Sequence, residues 1–290
     1  MNRDLNTLAQ YDPQAYWEER LSKHFSLRAT GHLTFGHEYN AWLYRSKVHV
    51  LTKLLKEKNI LCSGMKLLDI GVGTGFYVKY WEKLGVKSLT GIDITARSIA
   101  ELKKRYPNHR FIRANIGDTK IPINEKFDII TAFDVLFHMI SDDEFEQAIK
   151  NIRNLSHANT IILITDNFLK AYKPPRSHEN DRTLKYYKSV LTANSLEIDD
   201  IKPIFYLMNT PIDRERINGE LVKILTKGMW WMTLKIMGYA KHLGILGRGI
   251  AYFWGLALYC GDRIILKCTS AGPGIKLLLA KPICPHKNTL

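Results

Sequence analysis

Three glycines and two carboxylates occur at spacings that could form a ligand site. Gly71, Gly73 and Gly75 fall within five residues, after the apolar run MKLLDI and before a stretch with helical periodicity. Asp69 stands two residues before the first glycine, and Asp93 ends the next apolar run. Glycines allow a backbone to turn tightly and to approach a ligand closely. A carboxylate at Asp69 would attract an ammonium group and repel a phosphate, and one at Asp93 could accept hydrogen bonds from the hydroxyls of a ribose.

The glycine spacing excludes two common phosphate-binding loops. A dinucleotide fingerprint, G-x-G-x-x-G, would place its third glycine at position 76, which is Phe76. A P-loop would end in G-K-[ST], and no such ending is present after these glycines. The expected ligand therefore has a ribose, no phosphate and a cationic tail, and S-adenosylmethionine has all three properties.

The segments LLDIGVGTG, GIDIT and FDIITAFDVLFHM resemble the class I S-adenosylmethionine-dependent methyltransferases, both in order and in separation. The resemblance covers about residues 64–205, and a strand near 275–282 is typical of the end of that fold. It implies an enzyme that transfers a methyl group by in-line displacement. It also implies which residues contact the cofactor. The methionine part would meet Asp69, at its amino group, and the three glycines Gly71, Gly73 and Gly75. The ribose would meet Asp93, and the adenine would meet Ile94, Asn115 and Ile116, while Phe133 and Asp134 would lie beside the sulfonium. Asn115 stands where the family more often has Asp, and core packing is the alternative for Ile94 and Phe133.

The elements that must position these residues alternate between strands and helices. Apolar runs predict strands over 65–70, 88–93, 109–115, 126–134, 159–166 and 196–208. Helical periodicity predicts helices over 74–84, 95–106, 141–155 and 180–193. Thr95 and Ser141 are the predicted N-caps of two of them. This alternation predicts an α/β fold with a doubly wound, Rossmann-like sheet of about seven strands, all parallel over the alternating part.

The chain divides into four regions by its pattern. We expect an N-terminal helical cap over 1–60, a cofactor-binding core over 61–208, a basic and aromatic helical insertion over 209–270, and the last strand with a tail over 271–290. The insertion is predicted to act as a lid or to touch a membrane surface.

Methyl transfer to oxygen needs a nucleophile held in line and a group that takes its proton. His138, four residues beyond Asp134, is the first candidate for this base, since its ordinary pKa suits the task. The alternative is a histidine that only lines the cofactor pocket. His178, after the fifth predicted strand, is the second candidate.

A predicted helix supplies further candidates for contact with the methyl acceptor. Arg182 and Tyr186 follow His178 at i+4 spacing, so on a helix the three would share one face and look into the cleft. Arg182 could then hold a carboxylate or phosphate of the substrate, and an ordinary surface helix is the alternative. Tyr16 and Tyr44, in the N-terminal region, are candidate lining residues.

The residues after the fourth strand and the cysteine pattern exclude other kinds of site. Asp134 is followed by Val135 and Leu136, so the Asn/Asp-Pro-Pro-Tyr/Phe element of base-directed N-methyltransferases is missing and nucleic acid is an unlikely substrate. The acidic run 142–144 is explained by the start of a helix. The four cysteines have no CxxC spacing, so neither a metal site nor a disulfide framework is predicted.

The formal net charge of +14 is concentrated near the C-terminus, where residues 201–290 hold 13 Lys and Arg against 4 Asp and Glu. Such a segment indicates an anionic partner or serves solubility alone. No apolar leader is visible, and the longest uncharged apolar run, between Arg248 and Asp262, is shorter than the roughly 20 residues that a membrane-spanning helix needs. We expect a cytoplasmic protein, with peripheral contact to a membrane through 220–260 as an alternative.

The leading hypothesis is O-methylation of a small polar, sugar or glycan-type acceptor. Methylation of an aromatic or lipid natural product is the first alternative. The second is a binding module that has the fold but no catalysis, which the basic C-terminal third would suit and the intact glycine and carboxylate elements argue against. The sequence leaves the oligomeric state open.

Overall fold

The computed structural model describes residues 11–283. Three helices come first, and we call them the N-terminal cap: α1 (Pro13–Lys23), α2 (Leu27–Thr30) and α3 (His37–Glu57). Helix α1 begins where its sequence favours it, because the carboxylate of Asp12 accepts a hydrogen bond from the main-chain N–H of Ala15 at 3.0 Å and a proline occupies the first turn.

Strands and helices then alternate as predicted. In chain order they are β1 (Lys66–Ile70), α4 (Val78–Lys83), β2 (Ser88–Asp93), α5 (Ala96–Arg105), β3 (Arg110–Arg113), β4 (Phe127–Phe133), α6 (Asp142–Asn154), β5 (Ser156–Asp166), α7 (Leu184–Ala193) and β6 (Leu196–Pro203). Two further helices, α8 (Glu220–Ala240) and α9 (Gly244–Cys268), precede the last strand, β7 (Lys276–Pro282). The hydroxyls of Thr95 and Ser141 cap α5 and α6, as predicted.

The seven strands form one sheet in the order β3-β2-β1-β4-β5-β7-β6, which confirms the predicted fold class. Strands β1 to β5 pair in parallel. Strand β7 runs antiparallel to both of its neighbours, so the sheet is mixed rather than wholly parallel. The central neighbours β1 and β4 mark the point where the strand order reverses, and ligands of such sheets bind at the carboxyl ends of the strands there.

Both faces of the sheet are covered, because successive residues of a strand point to opposite sides. Leu67 belongs to an apolar core that includes Trp81 of α4 and much of α3. Leu68 belongs to a second core, with Phe145 of α6 and Tyr187 of α7. The carboxyl ends of the central strands lie between these layers and meet the N-terminal cap.

Helices α8 and α9 form a hairpin that packs against the cap. A Cβ atom at Gly255 would lie 2.6 Å from the Trp42 ring, so the close approach of α9 to α3 requires a glycine there. The indole N–H of Trp254 donates to the hydroxyl of Thr233 at 3.1 Å and joins the two helices of the hairpin. None of the helices within 11–283 is both long and apolar enough to cross a membrane.

Two predicted helices, α4 and α7, begin four residues later than expected. Helix α7 starts at Leu184, and the hydroxyl of Thr183 caps it by accepting a hydrogen bond from the N–H of Tyr186 at 3.1 Å. His178 and Arg182 therefore lie in the preceding loop. The prediction that they share one helix face with Tyr186 is wrong, because the i+4 spacing has no meaning outside a helix.

Candidate functional site

A cleft lies at the carboxyl ends of β1, β2 and β4, beside the N-terminal cap. It brings together nine of the ten predicted cofactor residues, which are far apart in the chain. These are Asp69, Gly71, Gly73, Asp93, Ile94, Asn115, Ile116, Phe133 and Asp134. The parallel strands cause this convergence, since they end at the same edge of the sheet.

The glycine loop adopts the left-handed backbone that its sequence suggests. The φ angles are 68° at Gly71, 52° at Gly73 and 75° at Gly75. Gly75 is the one predicted cofactor residue that does not line the cleft. A Cβ atom there would lie 2.5 Å from Leu102 of α5, so helix packing, rather than ligand contact, accounts for this glycine.

Asp93 connects the glycine loop to the end of β2. One carboxylate oxygen accepts a hydrogen bond from the N–H of Gly73 at 2.9 Å. The other accepts from the N–H and the hydroxyl of Thr95, at 2.9 and 2.7 Å. Burial raises the pKa of Asp93, although these hydrogen bonds oppose the shift. The side chain therefore fixes the loop while it faces the cleft.

Asp69 is buried at the base of the cleft. Its Oδ1 accepts a hydrogen bond from the hydroxyl of Thr131 on β4 at 2.6 Å, which is the one hydrogen bond of this carboxylate within residues 11–283. Burial raises the pKa of Asp69 to about 7. A cation placed against the second oxygen would favour the ionised form, so the site is suited to a positively charged ligand.

Asp134 is held in an unusual backbone conformation at the end of β4. Its φ is 59°, in a region that costs a non-glycine residue about 1–3 kcal/mol and that is common at functional sites. The hydroxyl of Thr165 accepts from the N–H of Asp134 and donates to its Oδ1, both at 2.8 Å. Three elements thus determine where this carboxylate points, since Lys47 of α3 binds its other oxygen.

Lys47 was not predicted from the sequence. Its ammonium group pairs with Asp134 and lies 4.7 Å from the centre of the Tyr44 ring. Burial by itself lowers the pKa of Lys47, but the charge of Asp134 outweighs that effect and the pKa is raised. The sequence did carry a signal for this lysine, because Lys47 falls among Leu43, Val50 and Leu54 on the apolar face of α3.

Asn115 and Glu144 occupy the cleft wall that follows β3. The side-chain amide of Asn115 donates to Glu144 Oε1 at 2.8 Å, and its oxygen accepts from the N–H of Gly117 at 2.9 Å. Both residues line the cleft. Asn115 is therefore oriented by its neighbours.

His138 lines the cleft and is electrically neutral at pH 7. Burial lowers its pKa to about 4. Its Nδ1 lies 3.0 Å from the main-chain oxygen of His178, and a carbonyl oxygen can only accept a hydrogen bond. Nδ1 must therefore carry the proton, which leaves the lone pair on Nε2. This tautomer has a lone pair for the proton of a bound nucleophile. The lowered pKa makes His138 a weaker base than an ordinary histidine, so the expectation that its ordinary pKa suits the task is not met.

His178 and Tyr16 lie next to His138 but outside the residues that line the cleft. The His178 ring stacks on Tyr16 with a centroid separation of 4.9 Å and lies parallel to the His138 ring at 5.5 Å. Tyr44 does line the cleft, and its hydroxyl donates to that of Thr30 at 2.7 Å. The hydrogen bond to His138 comes from the main-chain oxygen of His178, whereas the His178 ring makes only a stacking contact.

Arg182 and Tyr186 do not have the positions that the sequence predicted. The buried guanidinium of Arg182 donates to Asp142 at 2.8 Å and to the carbonyl oxygens of Met139 and Ser141 at 2.9 and 3.0 Å. The hydroxyl of Tyr186 donates to Glu146 at 2.7 Å. Neither residue lines the cleft. Arg182 instead fixes the turn that follows His138.

The cleft is acidic although the protein is basic. Asp69, Asp93, Asp134 and Glu144 line it, and no Lys or Arg is found among its described lining residues. Lys47, which is not among the lining residues, offsets the charge of Asp134 through their ion pair. The remaining carboxylates attract a cation and repel a phosphate. Within residues 11–283, no group of three or more His, Cys, Asp or Glu is placed to hold a metal ion.

Known proteins resemble this chain most clearly around the cleft. Residues 67–158 match the model of a family described as a methyltransferase domain. The chain is 36% identical over 86 residues to the ribosomal protein L11 methyltransferase of Dictyoglomus turgidum. The aligned stretch is 29% of this chain and 27% of that protein. The chain is also 32% identical over 54 residues to the malonyl-[acyl-carrier protein] O-methyltransferase of Pectobacterium atrosepticum. This aligned stretch is 19% of this chain and 21% of that protein. The matches thus span about a quarter of the length of these relatives.

A solved structure extends the likeness to more of the chain. The magnesium protoporphyrin IX methyltransferase of Synechocystis PCC 6803, crystallised with S-adenosylmethionine, covers 68% of this chain and 90% of its own, with a TM-score of 0.51 and 16% identity. At this identity the likeness concerns the fold alone. The fold is that of the class I S-adenosylmethionine-dependent methyltransferases, which confirms the resemblance found in the sequence.

Proposed function

We propose that this chain, whose residues 67–158 match the model of a methyltransferase domain family, is an S-adenosylmethionine-dependent methyltransferase. The acidic cleft is the observation that carries the proposal. S-adenosylmethionine has an ammonium group and a sulfonium group and lacks phosphate, so it suits a cleft whose lining residues within 11–283 include four carboxylates and no Lys or Arg. A dinucleotide would bring two phosphates to the same place.

The residues present fit this cofactor. Asp69 has a free oxygen for the ammonium group, and Asp93 has a cleft-facing carboxylate for the ribose hydroxyls. Ile94 and Ile116 provide apolar walls for the adenine, with Asn115 beside them. Phe133 and Asp134 would flank the reactive end. When bound, the cofactor supplies an electrophilic methyl group.

The protein's own contribution is to orient the acceptor and to receive its proton. We assign this role to Nε2 of His138, which carries a lone pair because Nδ1 donates to the carbonyl of His178. A hydroxyl acceptor must lose a proton during transfer, so a neutral histidine in the cleft supports O-methylation. The cap residues Trp17 and Tyr44 would help to exclude water.

The acceptor is proposed to be a small polar, sugar or glycan-type molecule. A second candidate, an aromatic or lipid natural product, is favoured by the aromatic side chains that line the cleft. These are Trp17, Tyr44, Phe76, Tyr77 and Phe133. A non-catalytic binding module is the third possibility, and its partner would be RNA or protein. The cleft argues against it, because a chain that no longer bound a cofactor would not need this arrangement.

Calorimetric titration with S-adenosylmethionine, S-adenosylhomocysteine and NAD tests the proposal. We expect micromolar binding of the first two and none of NAD, and a strong loss of affinity in Asp69→Asn. Glu197→Gln, which makes the same chemical change on an exposed part of β6, is the matched control and should bind normally. Absence of binding, or equal binding of NAD, would contradict the proposal.

Transfer of a labelled methyl group to sugars, glycolipids and phenols then separates the acceptor classes. Label in sugars or glycolipids supports the leading candidate, and label in phenols supports the second. Cofactor binding without transfer to any acceptor, combined with salt-sensitive RNA binding, would favour the module.

A further inference from the structure

The hairpin of α8 and α9 exposes apolar side chains instead of covering them. Leu221, Ile224, Leu225 and Trp231 of α8 and Leu246 and Phe253 of α9 are between 61% and 74% exposed. We call these six residues the outer face. In a water-facing helix, such positions are normally charged or polar. So many large exposed apolar side chains on one pair of helices indicate an interaction site.

The inward side of α8 carries polar and apolar residues together. Thr226 and Thr233 are buried there, and their hydroxyls donate to the carbonyl oxygens of Val222 and Met229 at 2.8 and 3.0 Å. The side chains of Met229 and Trp230 pack against the apolar core. Apolar side chains therefore lie on both sides of α8, and those of the outer face are additional to the ones that pack against the protein.

Most of the charge of the hairpin is positive, since its acidic residues are Glu220, which pairs with Lys223 at the start of α8, and Asp262 of α9, which is buried. Between Leu221 and Gly261 the sequence has five Lys and Arg and no Asp or Glu. Lys227 and Lys235 are exposed on the same side of α8 as Ile224 and Trp231, to which they are related by helical spacing. A surface that combines aliphatic, aromatic and cationic side chains without acids is typical of helices that lie in the headgroup region of a bilayer.

Two other occupants suit this surface less well. A second copy of the chain would place the same cations opposite each other across a two-fold interface, and the one exposed acidic residue of the hairpin, Glu220, already pairs with Lys223. A nucleic acid would attract the lysines, but it offers little to exposed leucine and isoleucine, since such interfaces are polar. An anionic lipid surface satisfies both the charge and the apolar residues.

We propose that the outer face docks on an anionic lipid bilayer, with the hairpin lying in the headgroup region rather than crossing the membrane. Leucine, isoleucine and phenylalanine would enter the acyl boundary, and Lys227 and Lys235 would contact lipid headgroups. The first turn of α9 extends this surface, because Ile245 is 85% exposed.

Docking would place the cleft near the lipid through the N-terminal cap. Trp230 of α8 packs against His32, with ring centroids 5.6 Å apart, and His32 follows closely on Thr30, which lines the cleft. Glu38 of α3 also binds Arg248 of α9 at 2.5 Å. The hairpin and the cleft therefore share the cap as a common support, so an amphiphilic acceptor held in a membrane would be close to the site. This last point rests on the proposed function, whereas docking itself does not.

Vesicle co-sedimentation of the full chain tests the docking. Vesicles of phosphatidylcholine with phosphatidylglycerol are compared with vesicles of phosphatidylcholine alone. Lys227→Gln combined with Lys235→Gln should weaken binding to the anionic vesicles about 30-fold, because each cation near an anionic surface contributes about 1 kcal/mol. Lys103→Gln combined with Lys104→Gln, on exposed positions of α5, is the matched control and should change binding less than twofold.

A second pair of variants tests the apolar contribution. Ile224→Gln combined with Trp231→Gln should weaken binding about tenfold or more, whereas Leu61→Gln, at an apolar position that is 79% exposed elsewhere, should not. Titration of each variant with S-adenosylhomocysteine in solution shows whether the core is intact, independently of lipid. The proposal is overturned if the chain ignores anionic vesicles, or if the controls lose binding equally. It is also overturned if the wild type is a dimer that the outer-face variants convert to a monomer.

Discussion

Lys47 of the N-terminal cap and Asp134 at the end of β4 form an ion pair whose side chains are only 8% and 16% exposed. The pair joins a helix that precedes the core to the strand end at which the cleft is built. It also supports Asp134 in its left-handed conformation. The cap is therefore attached to the site by charge as well as by apolar packing.

Removal of this cation should destabilise the protein. Lys47→Met leaves the carboxylate of Asp134 largely buried and unpaired, so we expect a loss of about 3 kcal/mol in the free energy of unfolding measured in urea. Lys53→Met is the control, because Lys53 lies on the same helix in an exposed pair with Glu57 and should cost less than about 0.5 kcal/mol. The double variant Lys47→Met with Asp134→Asn should recover part of the loss. Equal effects of the two single variants would contradict a structural role for the pair.

Alanine substitutions at Gly75 and Gly64 distinguish the stability cost of a left-handed backbone from the cost of overpacking. Their φ angles are similar, at 75° and 79°, but a Cβ atom at Gly75 would meet Leu102 at 2.5 Å and one at Gly64 would meet nothing within 4 Å. Gly64→Ala should therefore cost about 1 kcal/mol from the left-handed backbone alone. Gly75→Ala should cost about 1–3 kcal/mol more because of overpacking against α5. Chemical denaturation of both variants measures the difference, and similar losses would show that packing does not explain the third glycine.

The parts of the site that the sequence predicted depend on local signals. Asp69, Gly71 and Gly73 follow directly from an apolar run and a glycine turn, and Asp93 ends the next run. Each strand could therefore be recognised by itself, and the parallel sheet then brought the ends together. The caps Thr95 and Ser141 were predictable for the same reason.

The residues of the site that were missed or misplaced depend on contacts between segments that are distant in the chain. Thr131 and Thr165 contact Asp69 and Asp134 only through strand pairing, and no local pattern marks them. Arg182 was misplaced because the helix start was predicted four residues early, although Thr183 carried a capping signal. The direction of β7 could not be read from its composition, since parallel and antiparallel strands share the same apolar residues.

The sequence predicted the helical insertion but not which of its apolar residues are exposed. Its lysines and aromatic residues suggested an interfacial helix or a lid packed on the core, and the lid alternative implied that the protein covers its apolar residues. Helical spacing shows which residues share a face, but it does not show which face the protein covers. In the structure, Thr226, Thr233 and Met237 of α8 are buried, whereas Ile224 and Trp231 are exposed.

The raised pKa of Asp69 predicts how cofactor affinity depends on pH. A cation binds the ionised carboxylate, and this form becomes scarce below a pKa of about 7. The dissociation constant should therefore increase about 25-fold when the pH falls from about 7.5 to 5.5, and protons should be released on binding in the acidic range. Calorimetry in buffers of different ionisation enthalpy measures both effects.

Two comparisons show whether Asp69 is responsible. Asp69→Asn should bind weakly with an affinity that changes much less with pH, because its amide cannot titrate. S-adenosylhomocysteine has the ammonium group but no sulfonium, so its affinity should show the same slope as that of S-adenosylmethionine if the ammonium group is what Asp69 holds. A slope that persists in Asp69→Asn would assign the titration to another group, of which Asp93 is the nearest.

His138 and His178 provide a test of the proposed base, using an acceptor found in the transfer assay. His138→Ala should lower kcat about 100-fold while the affinity for S-adenosylhomocysteine changes less than twofold, because Nε2 acts on the acceptor's proton. His178→Ala should have a much smaller effect, since the main-chain oxygen that orients His138 remains. Because burial lowers the pKa of His138 to about 4, the base stays unprotonated from pH 8 to about 5, and kcat at saturating cofactor should not fall with a pKa near 6.5. Full activity of His138→Ala, or an equal loss in both variants, would mean that His138 only lines the cofactor pocket.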